Sequence, residues 1–299
     1  MDKIFEILKI HGPLTGKELK EKINDDSLKI WRLCNTSEQI VIKNIGKRYL
    51  RLDKHIDGYA RLSPSILREF FTYTVIGLKE DIENIDLKAK KLHEKINKIS
   101  KDKFELAKDI VKNLIKSQIN YREIEKKAAF IISGDIVYEM AHSELKPESS
   151  TGEMIKGSDL DIIIVTKYLS DKIVEELDAA IYGQKFYFMK NPAYREEIDY
   201  IIKDISKVKR QLSFDSFEFM IASKILNEGK YLGGSILLFD EIKKMLSDNN
   251  IGQKLKILEE IAVLERKKAI EHLLLAEESM SDELYNRLFF TKEESNEIF

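Results

Sequence analysis

The spacing of hydrophobic and polar positions predicts three short helices at the start of the chain, followed by two strands. Apolar residues recur every three or four positions over Ile4–Ile10, Lys17–Ile23 and Ser27–Cys34, as on one face of a helix. Ile40–Leu52 then reads as two strands joined by a turn that contains Asn and Gly, which predicts a β-hairpin. Together these elements predict a small domain over residues 1–60.

Residues 61–118 are predicted to form a helical linker or arm. Ser63 followed by Pro64 suits the N-cap and first position of a helix that runs through Phe71. Lys79–Asn120 is highly charged and carries an apolar stripe at helical spacing. Such a stripe either pairs with a second copy of the chain, giving a homodimer, or packs on its own domain.

The middle of the chain, residues 119–205, has the pattern of a core built from strands and helices. Four short segments have the length and the β-branched or aromatic content of strands, and Ser170–Tyr182 reads as a helix between the second and the third. After Asp204 the pattern is almost wholly helical, which predicts a C-terminal helical domain over residues 206–299. The four strand segments are Ala128–Ile132, Leu160–Val165, Gln184–Met189 and Glu196–Ile202.

Composition sets outer limits on the class of protein. With 299 residues, 43% of them hydrophobic, the chain can bury the cores of two or three domains. No apolar run reaches the roughly 18 residues of a membrane span, and the N-terminus lacks a signal-peptide pattern. We therefore expect a cytoplasmic protein without membrane contact. The single Cys34 excludes an internal disulfide, and the five histidines offer no zinc-like spacing.

Two carboxylates, Asp159 and Asp161, lie at the entrance to the second strand segment. Strand side chains alternate between faces, so both acids project to the same side, where their charges repel unless a cation lies between them. Magnesium prefers such hard oxygen ligands and commonly binds together with a polyphosphate substrate. The alternative is a turn, Gly157–Asp159, that leads into the strand with both aspartates solvated.

Two further features lie on either side of this pair. Asp199, in the fourth strand segment, is a candidate third carboxylate, or else a surface residue of an edge strand. Ser133 and Gly134 come after the first strand segment and precede a helical pattern at Ile136–Ala141. A strand, a glycine turn and a helix N-terminus can bind an anion through backbone N–H groups, although the same order also serves as a plain connection.

In this order the motifs resemble the DNA polymerase beta-type nucleotidyltransferase superfamily. Its pattern is a strand that ends in a small-residue turn, then two aspartates one residue apart, then a single later aspartate. Here these positions hold Ser133 and Gly134, then Asp159 and Asp161, then Asp199. The resemblance implies an α/β (α+β) nucleotidyltransferase core with a mixed sheet.

Two departures from the family pattern concern the turn and the segment after it. Asp135 comes directly after Gly134, where the family usually has a serine that binds the triphosphate. A polar stretch, Glu144–Glu153, separates the first two motifs. It predicts an inserted flexible loop, which serves either as a lid or as a longer connection.

The resemblance also implies a chemistry and a cofactor. Asp159, Asp161 and Asp199 would hold two Mg²⁺ ions, and Asp199 would accept the proton of the attacking hydroxyl. Ser133, Gly134 and Ser158 would contact the NTP. The implied reaction transfers an NMP from the NTP to a hydroxyl of a small molecule, an RNA or a protein, and it releases pyrophosphate.

The first 60 residues resemble a winged helix-turn-helix domain, with Ser27–Asn35 as the recognition helix and Lys43–Arg48 as the wing. The resemblance implies contact with DNA or RNA phosphates through basic side chains of these two segments. The alternative is a domain that packs against the rest of the chain or against a protein partner. The candidate nucleic-acid contacts are Lys29, Arg32, Lys43, Lys47 and Arg48.

Two other classes of function compete with an enzyme. The winged helix and Asp135 would suit a DNA-binding regulator whose degenerate transferase fold only senses a nucleotide. A helical arm that pairs with another chain would suit a toxin–antitoxin component.

Overall fold

The chain folds into two compact units. The computed structural model describes residues 2–148, 151–275 and 281–289. The first unit joins Met1–Ile96 to Leu258–Phe299, and the second is Asn97–Ile257. The predicted C-terminal helical segment, 206–299, is therefore divided between the two units.

The N-terminal part of the first unit has three helices before its main strands. A two-residue strand separates the first helix from the second. The elements are α1 Asp2–His11, β1 Leu14–Thr15, α2 Gly16–Lys22, α3 Ser27–Thr36, β2 Ile40–Asn44, β3 Tyr49–Leu52, β4 Ala60–Ser63, α4 Ile66–Thr72, β5 Thr74–Leu78 and α5 Ile82–Ser117, with a 3₁₀ turn at Lys79–Asp81 before α5.

The predicted hairpin over Ile40–Leu52 is wrong. β2 pairs antiparallel with β5, and β3 pairs antiparallel with β4, so β2 and β3 belong to different sheets. β5 is buried along its whole length and takes the centre of a three-stranded sheet in the order β1-β5-β2. The segment Lys43–Arg48 is therefore not the tip of a two-stranded wing. β2 pairs with β5, which lies about thirty positions further along the chain. Turn residues near β2 therefore could not indicate this partner.

The predicted helix after residue 63 forms, but it begins later than expected. Ser63 is the last residue of β4 and pairs with Tyr49. The N-cap is Ser65, whose Oγ accepts a hydrogen bond from the backbone N–H of Arg68 at 3.2 Å. The strand pairing of Ser63 thus moves the helix start to Ile66.

The predicted arm forms as a single helix, α5, of 36 residues. Near its start, Ile85 and Ala89 pack with Val75 of β5. Nearer its end, the apolar residues from Ala107 to Ile115 join the core of the second unit. Most of the apolar stripe is thus buried within the units, although Ile82 and Ile119 at its two ends are exposed. Pairing of the arm with a second copy of the chain stays a prediction.

The second unit continues from α5 into a region where strands and helices alternate. Two helices then complete the described chain, of which α12 begins in the second unit. The elements are α6 Tyr121–Lys127, β6 Ala128–Ile132, α7 Asp135–Tyr138, β7 Leu145–Pro147, β8 Met154–Lys156, β9 Leu160–Thr166, α8 Asp171–Lys190, β10 Ile198–Asp204, α9 Ile205–Gln211, α10 Phe217–Glu228, β11 Lys230–Gly234, α11 Ile236–Asp248, α12 Ile251–Leu275 and α13 Asp282–Leu288.

The sheet of the second unit has four strands in the order β10-β9-β6-β11. β10 runs parallel to β9, whereas β6 and β11 run antiparallel to their neighbours. The chain is therefore a mixed α/β protein with a mixed sheet, as predicted. All of β6 is buried, and so are Ile162–Thr166 of β9, which accounts for the continuous apolar sequences of the two strands.

Two predictions within this unit are wrong. Gln184–Met189 is the last part of helix α8 and not a strand. Ile173, Leu177, Ile181 and Phe188 are buried at helical spacing, so the alternating aromatic residues only mimic a strand pattern. The helix predicted at Ile136–Ala141 is a single turn, α7. Glu139 ends it in the left-handed conformation, with φ of 64°.

The polar stretch between the first two motifs is more ordered than a flexible loop. β7 and β8 pair antiparallel in a short ribbon, in which Lys146 and Ile155 are directly opposite and both are buried. Ser149 and Ser150, which come between β7 and β8 in the sequence, lie outside the described residues. The ribbon carries Lys146 toward the start of β9.

None of the helices in the described ranges is long and apolar enough to cross a membrane. After Asp204 the described chain is largely helical, as predicted, in α9 to α13, but the pattern missed the strand β11, which pairs with β6. Residues 276–280 and 290–299 lie outside the described residues.

Candidate active site

The three predicted aspartates lie at one end of the mixed sheet. Asp161 is the second residue of β9, and Asp199 is the second residue of β10. The two are register partners on adjacent parallel strands, which lie roughly 4.8 Å apart in a sheet. Asp159 comes just before β9. The order of the strands thus brings acids from two separate sequence segments together.

A buried lysine lies against Asp159. Lys146 Nζ, from the ribbon, is 3.0 Å from Asp159 Oδ1 and 3.1 Å from Oδ2. It is also 4.0 Å from Oε2 of Glu197. Burial raises the pKa of Asp159, Lys146 opposes this shift, and the charge of Asp199 adds to it. The negative charges of Asp159 and Asp199 therefore interact.

Glu197 is a fourth acid in this cluster and is not among the predicted site residues. Burial, together with the charges of Asp159 and Asp199, raises the pKa of Glu197 to about 7. A perturbation of this kind among several acids is typical of functional sites. Because Glu197 is two residues before Asp199, its proximity in sequence was a signal that could have found it.

A second lysine lies against Asp199. Lys185 of α8 places its Nζ 2.7 Å from Asp199 Oδ1. Burial is the largest single effect and lowers the pKa of Lys185, but the hydrogen bond to Asp199 and the negative charges of Asp199, Glu197 and Glu148 together outweigh it, so the pKa is raised overall. Half of the Asp199 side chain is exposed, so this acid is open to solvent beside its lysine.

These carboxylates suit magnesium by their chemistry but not by their present arrangement. Their oxygens are hard ligands and their charges repel one another. Within the described residues, however, no three His, Cys, Asp or Glu side chains stand in position to hold one metal ion. Here the ammonium groups of Lys146 and Lys185 supply the positive charge beside Asp159 and Asp199.

Gly134 lies directly against Asp161. Its φ is +76°, and a Cβ on it would lie 2.3 Å from Asp161 Oδ2. The backbone N–H of Ser133 donates to the backbone oxygen of Asp161 at 3.0 Å, so this N–H group is used within the sheet. The N–H of Gly134 instead donates to Glu228 Oε1 at 3.3 Å. Because α7 is a single turn, the predicted helix N-terminus adds little to anion binding.

Ser158 fixes the turn before Asp159. Its Oγ donates to Asp135 Oδ2 at 2.8 Å and accepts from the backbone N–H of His142 at 3.2 Å. Asp135 is therefore turned toward Ser158, and both belong to the frame of the site. In this arrangement Ser158 contacts protein groups, and its predicted nucleotide contact stays a prediction.

A buried ion pair connects the segments that lead into β9 and β10. Lys103 of α5 donates to the backbone oxygens of Lys156 and Ser158 at 3.2 and 2.8 Å, and to a carboxylate oxygen of Glu196. The side chains of Lys103 and Glu196 are 5% and 7% exposed. Burial raises the pKa of Glu196, and Lys103 opposes that shift. Nothing in the local sequence around Lys103 signals these contacts.

The candidate nucleic-acid residues of the first unit mostly contact groups of their own unit. Lys29 forms an ion pair with Asp25 at 2.9 Å, and Lys43 forms one with Asp86. Lys47 is exposed.

The two arginines of the set lie deeper in the same unit. Arg32 Nε donates to the backbone oxygen of Leu273 at 2.6 Å, which ties α3 to α12. Arg48 forms two hydrogen bonds with Glu69, at 2.6 and 2.9 Å. These contacts favour packing as the role of both arginines.

No protein-family model, curated protein or solved structure matches this chain. Function therefore has to be inferred from the site itself.

Proposed function

We propose that the chain is a Mg²⁺-dependent nucleotidyltransferase that transfers an NMP from an NTP to a hydroxyl acceptor. The observation that carries this proposal is the register of Asp161 and Asp199 on adjacent parallel strands, beside the Gly134 turn. The interacting charges also support it: Asp199 raises the pKa of Asp159, and both aspartates raise the pKa of Glu197.

In this proposal, magnesium and the nucleotide bind together at the acidic end of the sheet. Asp159, Asp161 and Asp199 would hold two ions, which supply charge neutralisation of the phosphates and activation of the acceptor hydroxyl. Lys146 and Lys185 would have to release Asp159 and Asp199 for these acids to hold the ions. Lysine side chains are flexible enough for this, since the charged group sits at the end of a flexible four-carbon stem.

The experiment that tests this proposal measures pyrophosphate release. The full chain is incubated with Mg²⁺ and each NTP, together with RNA, protein or small-molecule acceptors. We expect Asp161→Asn to lower the release at least about 100-fold, because a missing metal ligand removes several kcal/mol of transition-state stabilisation. Asp248→Asn, at an exposed position on α11, is the matched control and should leave the rate unchanged.

Two outcomes would reject the enzyme. One is release that Asp161→Asn leaves intact. The other is nucleotide binding without any turnover that persists in Asp199→Asn, and this result would favour a nucleotide-sensing regulator.

We further propose that the first unit is a winged-helix variant. Its order of elements, α1-β1-α2-α3 and then an antiparallel sheet β1-β5-β2, supports this assignment. The segment between β2 and β5 holds β3, β4 and α4 in place of a short wing. Binding of DNA or RNA by this unit stays a prediction.

A further inference from the structure

The carboxylate of Glu228 contacts the backbone of the turn at Gly134. Glu228, the last residue of α10, has a side chain that is only 6% exposed. Its Oε1 accepts from the Gly134 N–H at 3.3 Å, and its Oε2 accepts from Tyr138 Oη at 2.5 Å. Lys224 Nζ lies 2.5 Å from the same Oε2. Three donors of different chemical kinds thus converge on a single buried anion.

This convergence differs from an ordinary ion pair within a helix. An exposed Lys–Glu pair four residues apart contributes only a few tenths of a kcal/mol and requires nothing from other elements. Here the turn after β6 contributes the Gly134 N–H, and α7 contributes the Tyr138 hydroxyl. Lys224 is itself buried and lies 5.5 Å from the centre of the Tyr138 ring.

The location links this anion site to the acids. Gly134, which donates to Glu228, is also the residue that touches Asp161. A carboxylate and a phosphate present the same kind of charged acceptor oxygen to N–H, O–H and ammonium donors. The carboxylate of Glu228 therefore lies where phosphate oxygens would be bound beside the acids.

We propose that the Gly134 N–H, the Tyr138 hydroxyl and the Lys224 ammonium bind a phosphate group of the substrate, and that Glu228 is a built-in competitor for this site. The carboxylate of Glu228 neutralises Lys224 while the site holds no phosphate, and it has to move away when phosphate binds. That the phosphate belongs to an NTP rests on the proposed function. The anion site itself can be tested with inorganic pyrophosphate.

The proposal predicts opposite effects for the two partners of one ion pair. Lys224→Met removes a charged donor, so it should weaken the binding of pyrophosphate. Glu228→Gln removes the competing charge and keeps the size of the side chain, so it should strengthen that binding. If the pair only stabilised the fold, both variants would lower stability and neither would tighten binding.

The experiment titrates the full-length chain with pyrophosphate and Mg²⁺ in a calorimeter, with a melting curve for each variant. Hydrogen bonds to charged groups contribute enough for about a tenfold change in affinity. We expect binding about tenfold tighter for Glu228→Gln and about tenfold weaker for Lys224→Met. Glu123→Gln, in the exposed Lys127–Glu123 pair of α6, is the matched control and should leave the affinity unchanged.

Affinity that is unchanged in folded Glu228→Gln, or that changes in the same direction in both variants, would overturn the proposal. If Glu228→Gln does not fold, Glu228→Asp takes its place, since the shorter side chain withdraws the carboxylate from its donors. It must then also bind more tightly.

The result separates this inference from the proposed function. Opposite shifts in pyrophosphate affinity without any NTP turnover would uphold the anion site and reject the transferase. Turnover that depends on Asp161, together with a pyrophosphate affinity that Glu228→Gln leaves unchanged, would uphold the transferase and reject the anion site.

Discussion

At Gly134 the backbone of one strand end comes so close to Asp161 that no side chain fits between them. The positive φ at this position is one that L-residues other than glycine rarely adopt. The 2.3 Å approach of a Cβ to Asp161 Oδ2 adds a steric barrier. Glycine is thus required here twice, once for the conformation of the turn and once for the position of the carboxylate.

We expect Gly134→Ala to lower both stability and transfer. With φ of 76° and ψ of −157°, the backbone of Gly134 lies in a region that is essentially restricted to glycine, which costs an alanine roughly 1–3 kcal/mol. Displacement of Asp161 should reduce pyrophosphate release further. Urea denaturation and the release assay measure the two effects.

Gly183→Ala is the matched control for this change. Gly183 lies within helix α8, and a Cβ there meets nothing within 4 Å. This variant should gain roughly 0.5–1 kcal/mol of stability, because alanine restricts the unfolded chain. Equal stability of Gly134→Ala and the unmodified chain would contradict our account of the turn.

The sequence identified acids better than it identified their partners. Asp159 and Asp161 stand out because two charges lie at the start of an apolar strand, and Asp199 because it repeats that pattern. Lys146 and Lys185 come from a ribbon and a helix whose approach to the acids depends on tertiary packing. A local pattern does not encode such distant contacts.

At the scale of elements, one side chain of α5 links the segments that lead into β9 and β10. Lys103 bonds to the backbone before β9 and to Glu196 before β10. Because both groups are buried, loss of either partner leaves a charge without compensation.

We expect Lys103→Met and Glu196→Gln each to destabilise the chain by about 3–5 kcal/mol. The double variant should recover a large part of this loss, since it removes both buried charges. It should remain less stable than the unmodified chain, because the backbone oxygen of Ser158 also loses its donor. Urea denaturation of the four proteins gives the coupling energy, and strictly additive losses would refute the pairing.

Helices with strong periodicity were predicted well, whereas strand pairing was not. α1, α3 and α5 match apolar spacing that extends over several turns. β2 pairs with β5, which closes a long intervening segment, and no turn residue signals such a partner. The aromatic end of α8 failed for a different reason, since side chains on two faces of a helix imitated alternation.

At the scale of the whole molecule, buried lysines shape the response to pH. Burial, with help from Lys207, lowers the pKa of Lys203 to about 8. Burial also lowers the pKa of Lys243 to about 8, although Glu228 opposes the shift. Both lysines are therefore protonated in the unfolded chain over a pH range in which they are neutral in the folded chain.

We expect these lysines to make the chain more stable as the pH rises above about 8. Between about pH 8 and 10 the unfolded chain binds more protons than the folded one, so the free energy of unfolding increases with pH. Each lysine contributes at most about 1.4 kcal/mol per pH unit. Urea midpoints measured between about pH 7.5 and 9.5 should show a smaller slope for Lys203→Met than for the unmodified chain.

Lys172→Met, at an exposed position, is the control and should keep the full slope. The comparison is made between variants because Cys34 acts in the opposite direction. Burial raises its pKa to about 12, so above about pH 9 its thiol favours the unfolded chain. Identical slopes for Lys203→Met and the control would contradict the prediction.

β10 lies at the edge of its sheet, and this position bears on whether copies of the chain aggregate. An open strand edge can recruit a strand from another chain and begin aggregation, and charged residues along such an edge prevent this. β10 carries the exposed acids Asp199 and Asp204, and its only strand neighbour in the described chain is β9. A strand added there would have to desolvate these charges. Asp199, proposed as a metal ligand, would in this way also help to keep the chain from polymerising.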